Sequence, residues 1–215
     1  MIRIEEASLR YMDHGKELFA VHQLSLELKE GEFLGILGPS GSGKSSLLYL
    51  LSGLKIPTSG KVHYGGVDFQ ALPEAERARI RIQDFGFVFQ YPYLLGYLSA
   101  LENVVLARPD RDRTDEARQL LTDLGLGKKM HRMPHELSGG ERQRLCVARA
   151  LLGQPKVIFA DEPTANLDHK NGIQVVQLLN DHRKSGALVM VTHDPSMLES
   201  ASRIVRLEDG EIHSN

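Results

Sequence analysis

The stretch "GPSGSGKSS", from Gly38 to Ser46, matches the pattern G-x-x-x-x-G-K-[ST] in full. The apolar stretch "FLGIL" precedes it and "SSLLYLLSGL" follows it, so the motif lies between a predicted strand and a predicted helix. Glycines let backbone N–H groups wrap phosphates, while Lys44 supplies positive charge and Ser45 supplies a hydroxyl for Mg²⁺. The stretch therefore predicts a phosphate-binding loop in an α/β protein.

A second stretch, "VIFADE", supplies two adjacent carboxylates, Asp161 and Glu162, after four apolar residues. The apolar residues predict a buried strand, and α/β sheets bind ligands at the carboxyl ends of their strands. We expect Asp161 to bind Mg²⁺ and Glu162 to act as the general base that orients the attacking water. The alternative is a plain acidic turn, which the complete phosphate loop disfavours.

A third stretch, "HELSGGERQRLCVARALL", begins with the S-x-x-E pattern of a capping box, formed by Ser138 and Glu141. The same pattern occurs in "SALENVVLA", at Ser99 and Glu102. The start of a helix suits an anion because of its backbone N–H groups and the positive end of its dipole. The chain thus carries a second predicted anion-binding helix start besides the phosphate loop.

The totals describe an ordinary globular protein: 215 residues, 41% of them hydrophobic, with a net charge of −2 that predicts no nucleic-acid partner. The single cysteine, Cys146, rules out an internal disulfide and favours a reducing compartment. The start "MIRIEEASLR" lacks the pattern of a signal peptide, and no apolar run is long enough to span a bilayer. We therefore expect a cytoplasmic protein.

Along the chain, strand patterns dominate the first third, helix patterns follow from about residue 91 to 152, and strands and helices then alternate. "PEAERARIRI" predicts a charged helix, "FGFVF" and "KVIFA" predict strands, and the C-terminal part predicts a strand pair that turns at "EDGE". The middle segment is therefore expected to be a helical insertion.

The order of "LSGGE", "VIFADEPTANLD" and "VTHD" resembles the nucleotide-binding subunits of ABC transporters, and the resemblance covers essentially the whole chain. It implies a P-loop NTPase (RecA-like) α/β core with an N-terminal antiparallel β-subdomain and an inserted α-helical subdomain. One ABC ATPase domain would span residues 1–215. Residues 1–90 and 153–215 would form its catalytic core lobe, and residues 91–152 a helical lobe with the signature motif.

The resemblance also implies the cofactors, ATP and Mg²⁺, and a head-to-tail homodimer in which the signature of one copy closes on the ATP of the other. The nucleotide-binding positions would be Tyr11, Gly38, Pro39, Ser40, Gly41, Ser42, Gly43, Lys44, Ser45, Ser46, Ser138, Gly139, Gly140 and Asp168. The catalytic positions would be Glu162, His193 and Gln90, and the Mg²⁺ ligands Ser45, Gln90 and Asp161. The second helix start would then serve the nucleotide of the partner copy.

Four of these positions have a simpler structural alternative. Tyr11 stacks on adenine or packs in the core, and Gln90 senses the γ-phosphate or is an ordinary loop residue. Asp168 crosses the dimer interface, caps the helix of "HKNGIQVVQLL", or does both. His193 contacts the γ-phosphate or is structural.

Three tyrosines in "YPYLLGYL" directly follow Gln90, and tyrosine is enriched at protein interfaces. The resemblance implies that the segment from Gln90 to Tyr97 receives a membrane permease, which would place the protein on the inner face of the cell membrane. Packing of these tyrosines within the helical lobe is the alternative.

The motifs look most like those of the lipoprotein-release, macrolide-export and FtsE-like group. They imply an ATP-hydrolysing subunit that drives export or extraction of a hydrophobic or amphipathic substrate. Three alternatives stand beside this function: the ATPase of an importer, a soluble ABC-type ATPase of DNA repair or translation, and a P-loop kinase. The "LSGGE" signature disfavours the kinase, and the absence of long inserts disfavours the soluble class.

Overall fold

The computed structural model describes residues 1–13 and 16–213. The chain folds into two compact units. The first unit is Met1–Arg81 with Val189–Asn215, and the second is Ile82–Leu188. These bounds differ from those of the expected catalytic and helical lobes, whose division stays a prediction.

The first unit contains a four-stranded antiparallel sheet in the order β2-β1-β4-β5. Its strands are β1 (Ile2–Asp13), β2 (Lys16–Leu28), β4 (Ser59–Tyr64) and β5 (Val67–Asp68). Buried and exposed side chains alternate in the second half of β2, as expected of a sheet with one face on the core. This sheet confirms the N-terminal antiparallel β-subdomain.

The same unit holds the strand and the helix on either side of the phosphate loop, β3 (Phe33–Leu37) and α1 (Lys44–Leu51). Strand β3 pairs in parallel with β9 (Arg203–Glu208), and β10 (Glu211–His213) pairs antiparallel with β9. The C-terminal strand pair and its turn are thereby confirmed. Strand β8 (Ala187–Thr192) ends in this unit, and helix α2 (Glu74–Asp84) begins there.

The second unit is richer in helix. It contains β6 (Phe85–Val88), α3 (Ala100–Val105), α4 (Thr114–Asp123), α5 (Gly139–Leu151), β7 (Val157–Asp161) and α6 (His169–His182). Strands β6 and β7 pair in parallel, and every residue of β7 is buried, as the uninterrupted apolar run "VIFA" predicts. Helix α5 packs against β6, α3, α4 and α6, which makes it the central helix of this unit.

A search of residues 1–13 and 16–213 for a membrane-crossing helix finds none with the required length and apolar character.

Candidate functional site

The shape of the phosphate loop depends on Gly43. Gly43 has a φ of 96°, and a Cβ atom there would lie 1.9 Å from the carbonyl oxygen of Ala20. The Ser42 carbonyl accepts a hydrogen bond of 3.1 Å from the N–H of Gly210. The loop is thus held between β2 and the β9–β10 turn, in a backbone conformation that requires glycine.

Lys44 is buried, and its Nζ atom donates hydrogen bonds to the carbonyls of Gly38 (2.9 Å) and Pro39 (2.8 Å). The Lys44 side chain therefore extends from the first turn of α1 to the beginning of the loop. It places a positive charge inside the turn that the glycines form, where an anion would gain most from it.

The phosphate loop also has polar groups that could form hydrogen bonds to a phosphate. Gly43, at the N-cap of α1, has no side chain with which to cap the helix, and the first turn carries no acidic residue. Within the described part of the chain, the buried hydroxyl of Ser42 finds no hydrogen-bond partner, and no atom lies within 4 Å of a Cβ built on Gly41. Buried hydroxyls are normally paired, so the loop has capacity for an added anion.

Two other predicted site residues lie in the first unit. His193 is exposed and directly follows β8, whose residues are all buried. Tyr11, in β1, is 36% exposed and is not a core residue, which removes the alternative of a packed strand tyrosine. The first unit thus holds the phosphate loop, His193 and Tyr11.

The two carboxylates lie in the second unit at the carboxyl end of β7. Asp161 is the last residue of the strand and is buried, whereas Glu162 is half-buried. Glu162 has a φ of 44°, in the left-handed region that residues with a side chain seldom adopt. Such backbone strain concentrates at functional positions, where it fixes the direction of a side chain.

Gln90 is exposed and follows β6 after one residue. Its carbonyl accepts a hydrogen bond of 3.1 Å from the side chain of Asn166, so the loop after β6 is tied to the loop after β7. Pro163, in that second loop, accepts a hydrogen bond of 2.6 Å from the buried side chain of Gln143 on α5. The "ANLD" loop, the Gln90 loop and α5 are therefore linked within one unit.

Asp168 caps α6, because its side chain accepts the N–H of Asn171. This hydrogen bond from the backbone of Asn171, with a second from its side chain, holds the pKa of Asp168 below its usual value. The capping alternative for Asp168 is confirmed, and its place at a dimer interface stays a prediction.

The start of α5 has both bonds of a capping box. Ser138 Oγ accepts the N–H of Glu141 at 3.3 Å, and the Glu141 carboxylate accepts the N–H of Ser138 at 3.0 Å. Lys129 donates to the same carboxylate at 2.6 Å, and this bond, followed by that from Ser138, lowers the pKa of Glu141. The box predicted for α3, at Ser99 and Glu102, is equally present.

The glycines behind Ser138 meet almost nothing of their own chain. Apart from the adjacent residues and the backbone of α5 itself, no described atom lies within 4 Å of a Cβ built on Gly139, and the nearest to one on Gly140 is 3.7 Å away. Glycine in a helix costs up to about 1 kcal/mol relative to alanine, so packing within the monomer does not explain these residues. The surface next to Gly139 and Gly140 therefore has room for a ligand or for another protein.

Three residues at the site were not predicted from the sequence: Gln143, Asn166 and Arg149, whose side chains donate to backbone carbonyls of functional loops. Backbone acceptors carry no sequence signature, so spacing could not have revealed these bonds. The alternative of tyrosines packed within the helical lobe is wrong, because Tyr91, Tyr93 and Tyr97 are 62%, 69% and 75% exposed.

Comparison with known proteins agrees with these features. The family model described as "ABC transporter" matches residues 21–165. The lipoprotein-releasing system ATP-binding protein LolD of Aquifex aeolicus is 44% identical over 195 residues, which cover 88% of this chain and 87% of that protein. The macrolide export ATP-binding/permease protein MacB of Vibrio parahaemolyticus is 39% identical over 99% of this chain, which spans 33% of that longer protein.

A solved structure of similar shape is the dimeric, post-hydrolysis state of the ATP-binding cassette MJ0796 bound to ADP and Pi. It has a TM-score of 0.93 and 36% identity, and the match covers 100% of this chain and 97% of that one. The predicted P-loop NTPase fold and the predicted family are thereby confirmed. The chain belongs to the ABC transporter family and is one of its ATP-hydrolysing cassettes.

Proposed function

We propose that this cassette binds Mg-ATP, dimerises around two nucleotides and drives a separate membrane permease. The observation that carries the proposal is the presence, in one chain, of a complete phosphate loop and of a second, glycine-lined helix start that the monomer does not fill. The dimeric state of the similar cassette bound to ADP and Pi supports the pairing of two copies.

In this account the phosphates of ATP lie in the loop from Gly38 to Ser46. Lys44 balances their charge from within the loop, and the backbone N–H groups and the Ser42 hydroxyl add hydrogen bonds. Tyr11, partly exposed on β1, would stack on the adenine ring, because aromatic rings stack on flat bases.

The residues also fit a bound Mg²⁺ ion, because a serine hydroxyl, an amide oxygen and a carboxylate are hard oxygen donors. Ser45, Gln90 and Asp161 would hold it. When bound, the ion would neutralise charge on the β- and γ-phosphates. The position of Asp161 as the buried last residue of β7 supports this role.

Glu162 would act as the general base that takes a proton from the attacking water, and His193 would steady the γ-phosphate. Glu162 has a left-handed backbone conformation and directly follows β7, at the edge of the sheet where α/β proteins bind ligands. Asn166 would support this chemistry indirectly by fixing the backbone of Gln90.

Ser138, Gly139 and Gly140 would contact the ATP held by the partner copy, with Asp168 beside the dimer interface. The room next to Gly139 and Gly140 suits the close approach of a γ-phosphate to a helix start. The nucleotide would thus hold the dimer closed, and hydrolysis would release it.

The exposed segment from Gln90 to Tyr97, hereafter the docking segment, would receive the permease, since aromatic residues exposed together indicate a protein interface. The names of LolD and MacB, a lipoprotein-releasing system and a macrolide export protein, support export or extraction of a hydrophobic or amphipathic substrate. The cassette would then lie on the inner face of the cell membrane as a peripheral subunit.

The alternatives are an importer ATPase and a soluble ABC-type ATPase. Purification of the Glu162→Gln variant from membranes with Mg-ATP, followed by mass spectrometry, separates them. Recovery of a multispanning permease supports the transport motor, and its topology separates import from export. Recovery of soluble proteins or nucleic acid alone contradicts it.

The catalytic assignment is tested by steady-state hydrolysis of the same variant. Glu162→Gln should lower turnover by about 10² to 10⁴, as the loss of a general base does, and should leave ATP affinity intact. Glu208→Gln, at the exposed end of β9, is the control and should hydrolyse normally. Unchanged turnover in Glu162→Gln would remove Glu162 from its role.

A further inference from the structure

The docking segment is exposed, yet it is held in one conformation. Tyr93 has a φ of 44°, and its ring packs edge-on against Phe89 at a centroid distance of 5.7 Å. The ring of Phe89 in turn stacks on Phe87 of β6 at 5.7 Å. A loop with a strained residue keeps its shape only when neighbouring groups fix it.

Arg149, in the last turn of α5, makes the most specific of these contacts. Its two terminal nitrogens donate hydrogen bonds of 2.9 Å each to two consecutive carbonyls, those of Tyr93 and Pro92. Cys146, one turn earlier on the same face of α5, donates from Sγ to the Pro92 carbonyl at 3.3 Å. A planar guanidinium that spans two carbonyls fixes both the position and the orientation of the turn.

The same helix begins at the signature. From Ser138 to Arg149 the rise is about 16 Å, at roughly 1.5 Å per residue. Helix α5 is capped at its first turn and packed on four other elements, so a displacement at its start is carried to its end. Helix α5 therefore connects the signature motif, at Ser138 to Gly140, with the docking segment.

We propose that Arg149 is a positioning residue that makes the docking segment follow α5. A nucleotide-dependent displacement at Ser138 to Gly140 would then reach the surface offered to the permease. The inference rests on the proposed function, because it requires the partner's nucleotide to meet the start of α5. Arg149 is not one of the residues assigned to nucleotide or metal, and it would act through the backbone of Pro92 and Tyr93.

The test is amide hydrogen exchange with and without Mg-ATP, in protein that carries Glu162→Gln so that nucleotide stays bound. In this parent, ATP should slow exchange at the start of α5 and change exchange in the docking segment. Adding Arg149→Ala should keep the response of α5 and abolish that of the docking segment. Arg118→Ala, which removes a guanidinium paired with Asp115 on the exposed face of α4, is the control and should preserve both responses.

Arg149→Lys is the second variant. It keeps the positive charge and a long chain but cannot span two carbonyls in one plane, so it should weaken the response of the docking segment without altering that of α5. It keeps the test decisive if Arg149→Ala does not fold.

The outcomes separate the two proposals. If ATP changes nothing at the start of α5 in the parent, the proposed function is wrong and this inference falls with it. If α5 responds but the docking segment does not respond in the parent, or still responds fully in both Arg149 variants, this inference alone is overturned.

Discussion

The helices α1 and α5 both begin in glycine-rich sequence, but their first turns are completed in different ways. At α1 the N-cap is Gly43, which has no side chain to offer, and Lys44 places its charge inside the loop. At α5 the N-cap is Ser138, and together with Glu141 it completes a capping box. One helix start lacks a cap of its own, and the other supplies one.

This difference shows what each glycine does. Gly43 is required by the fold, because a Cβ atom there would meet the Ala20 carbonyl. Gly139 is not required by the fold, because it faces open space. The turn before α1 therefore depends on glycine for its shape, whereas the start of α5 is capped by its own side chains and has open space next to Gly139, where we propose that the partner's nucleotide binds.

The largest effect is expected from Gly43→Ala. The left-handed backbone and the contact with Ala20 should cost at least about 2 kcal/mol. For a chain of this size that lowers the thermal midpoint by about 4–8 °C. Nucleotide binding should be lost as well, because the loop cannot close. Calorimetry and an ADP titration measure both effects, and a stable variant that binds ADP normally would show that the loop does not require Gly43.

The next largest effect is a loss of ATP hydrolysis that leaves ATP binding unchanged. Ser138→Arg should abolish ATP hydrolysis while the monomer still binds ATP with unchanged affinity, because the phosphate loop is intact. His135→Arg, at an exposed position three residues earlier, is the control and should hydrolyse normally. Wild-type turnover in Ser138→Arg would show that the start of α5 has no part in the reaction.

Gly139→Ala should move stability and activity in opposite directions. Alanine favours a helix over glycine by up to about 1 kcal/mol, and the space for its methyl group is open, so the thermal midpoint should rise by up to about 4 °C. Hydrolysis should fall, because the methyl group occupies the surface that meets the partner's phosphate. If stability rises and turnover is unaffected, the glycine surface has no ligand.

The smallest effect is the pH dependence of the α5 cap. The bonds from Lys129 and Ser138 lower the pKa of Glu141 from its ordinary value of 4.5. A lowered pKa means that the stabilisation is present above pH 4.5 and is lost as the pH falls through the native value. Between pH 5 and pH 3, wild type should therefore lose more stability than Glu141→Gln in urea unfolding. Equal losses would show that the charge of the Glu141 carboxylate contributes nothing to stability.

The sequence alone was sufficient for the local features of both helix starts. The phosphate loop lies between β3 and α1 as its motif predicts, and the S-x-x-E patterns at Ser99 and Ser138 form capping boxes. These features depend on residues that are close in the chain, so their spacing specifies them.

The features that depend on distant residues could not be predicted. Nothing in the sequence indicates the left-handed backbone of Glu162 or the bonds of Arg149 to Pro92 and Tyr93, which lie more than fifty residues away. Such bonds form only once β6 and α5 are packed together, and any residue can offer a backbone carbonyl. The roles of the individual site residues remain predictions for the same reason.

Mixing two inactive variants, Lys44→Ala and Ser138→Arg, tests whether the start of α5 serves the nucleotide of the partner copy. Each alone lacks one half of every shared site. In an equal mixture, about half of the dimers are mixed and each has one intact site, so hydrolysis should return to about a quarter of the wild-type rate. If native mass spectrometry finds the mixed dimer and the mixture stays inactive, α5 does not act on the partner's nucleotide and the account is wrong.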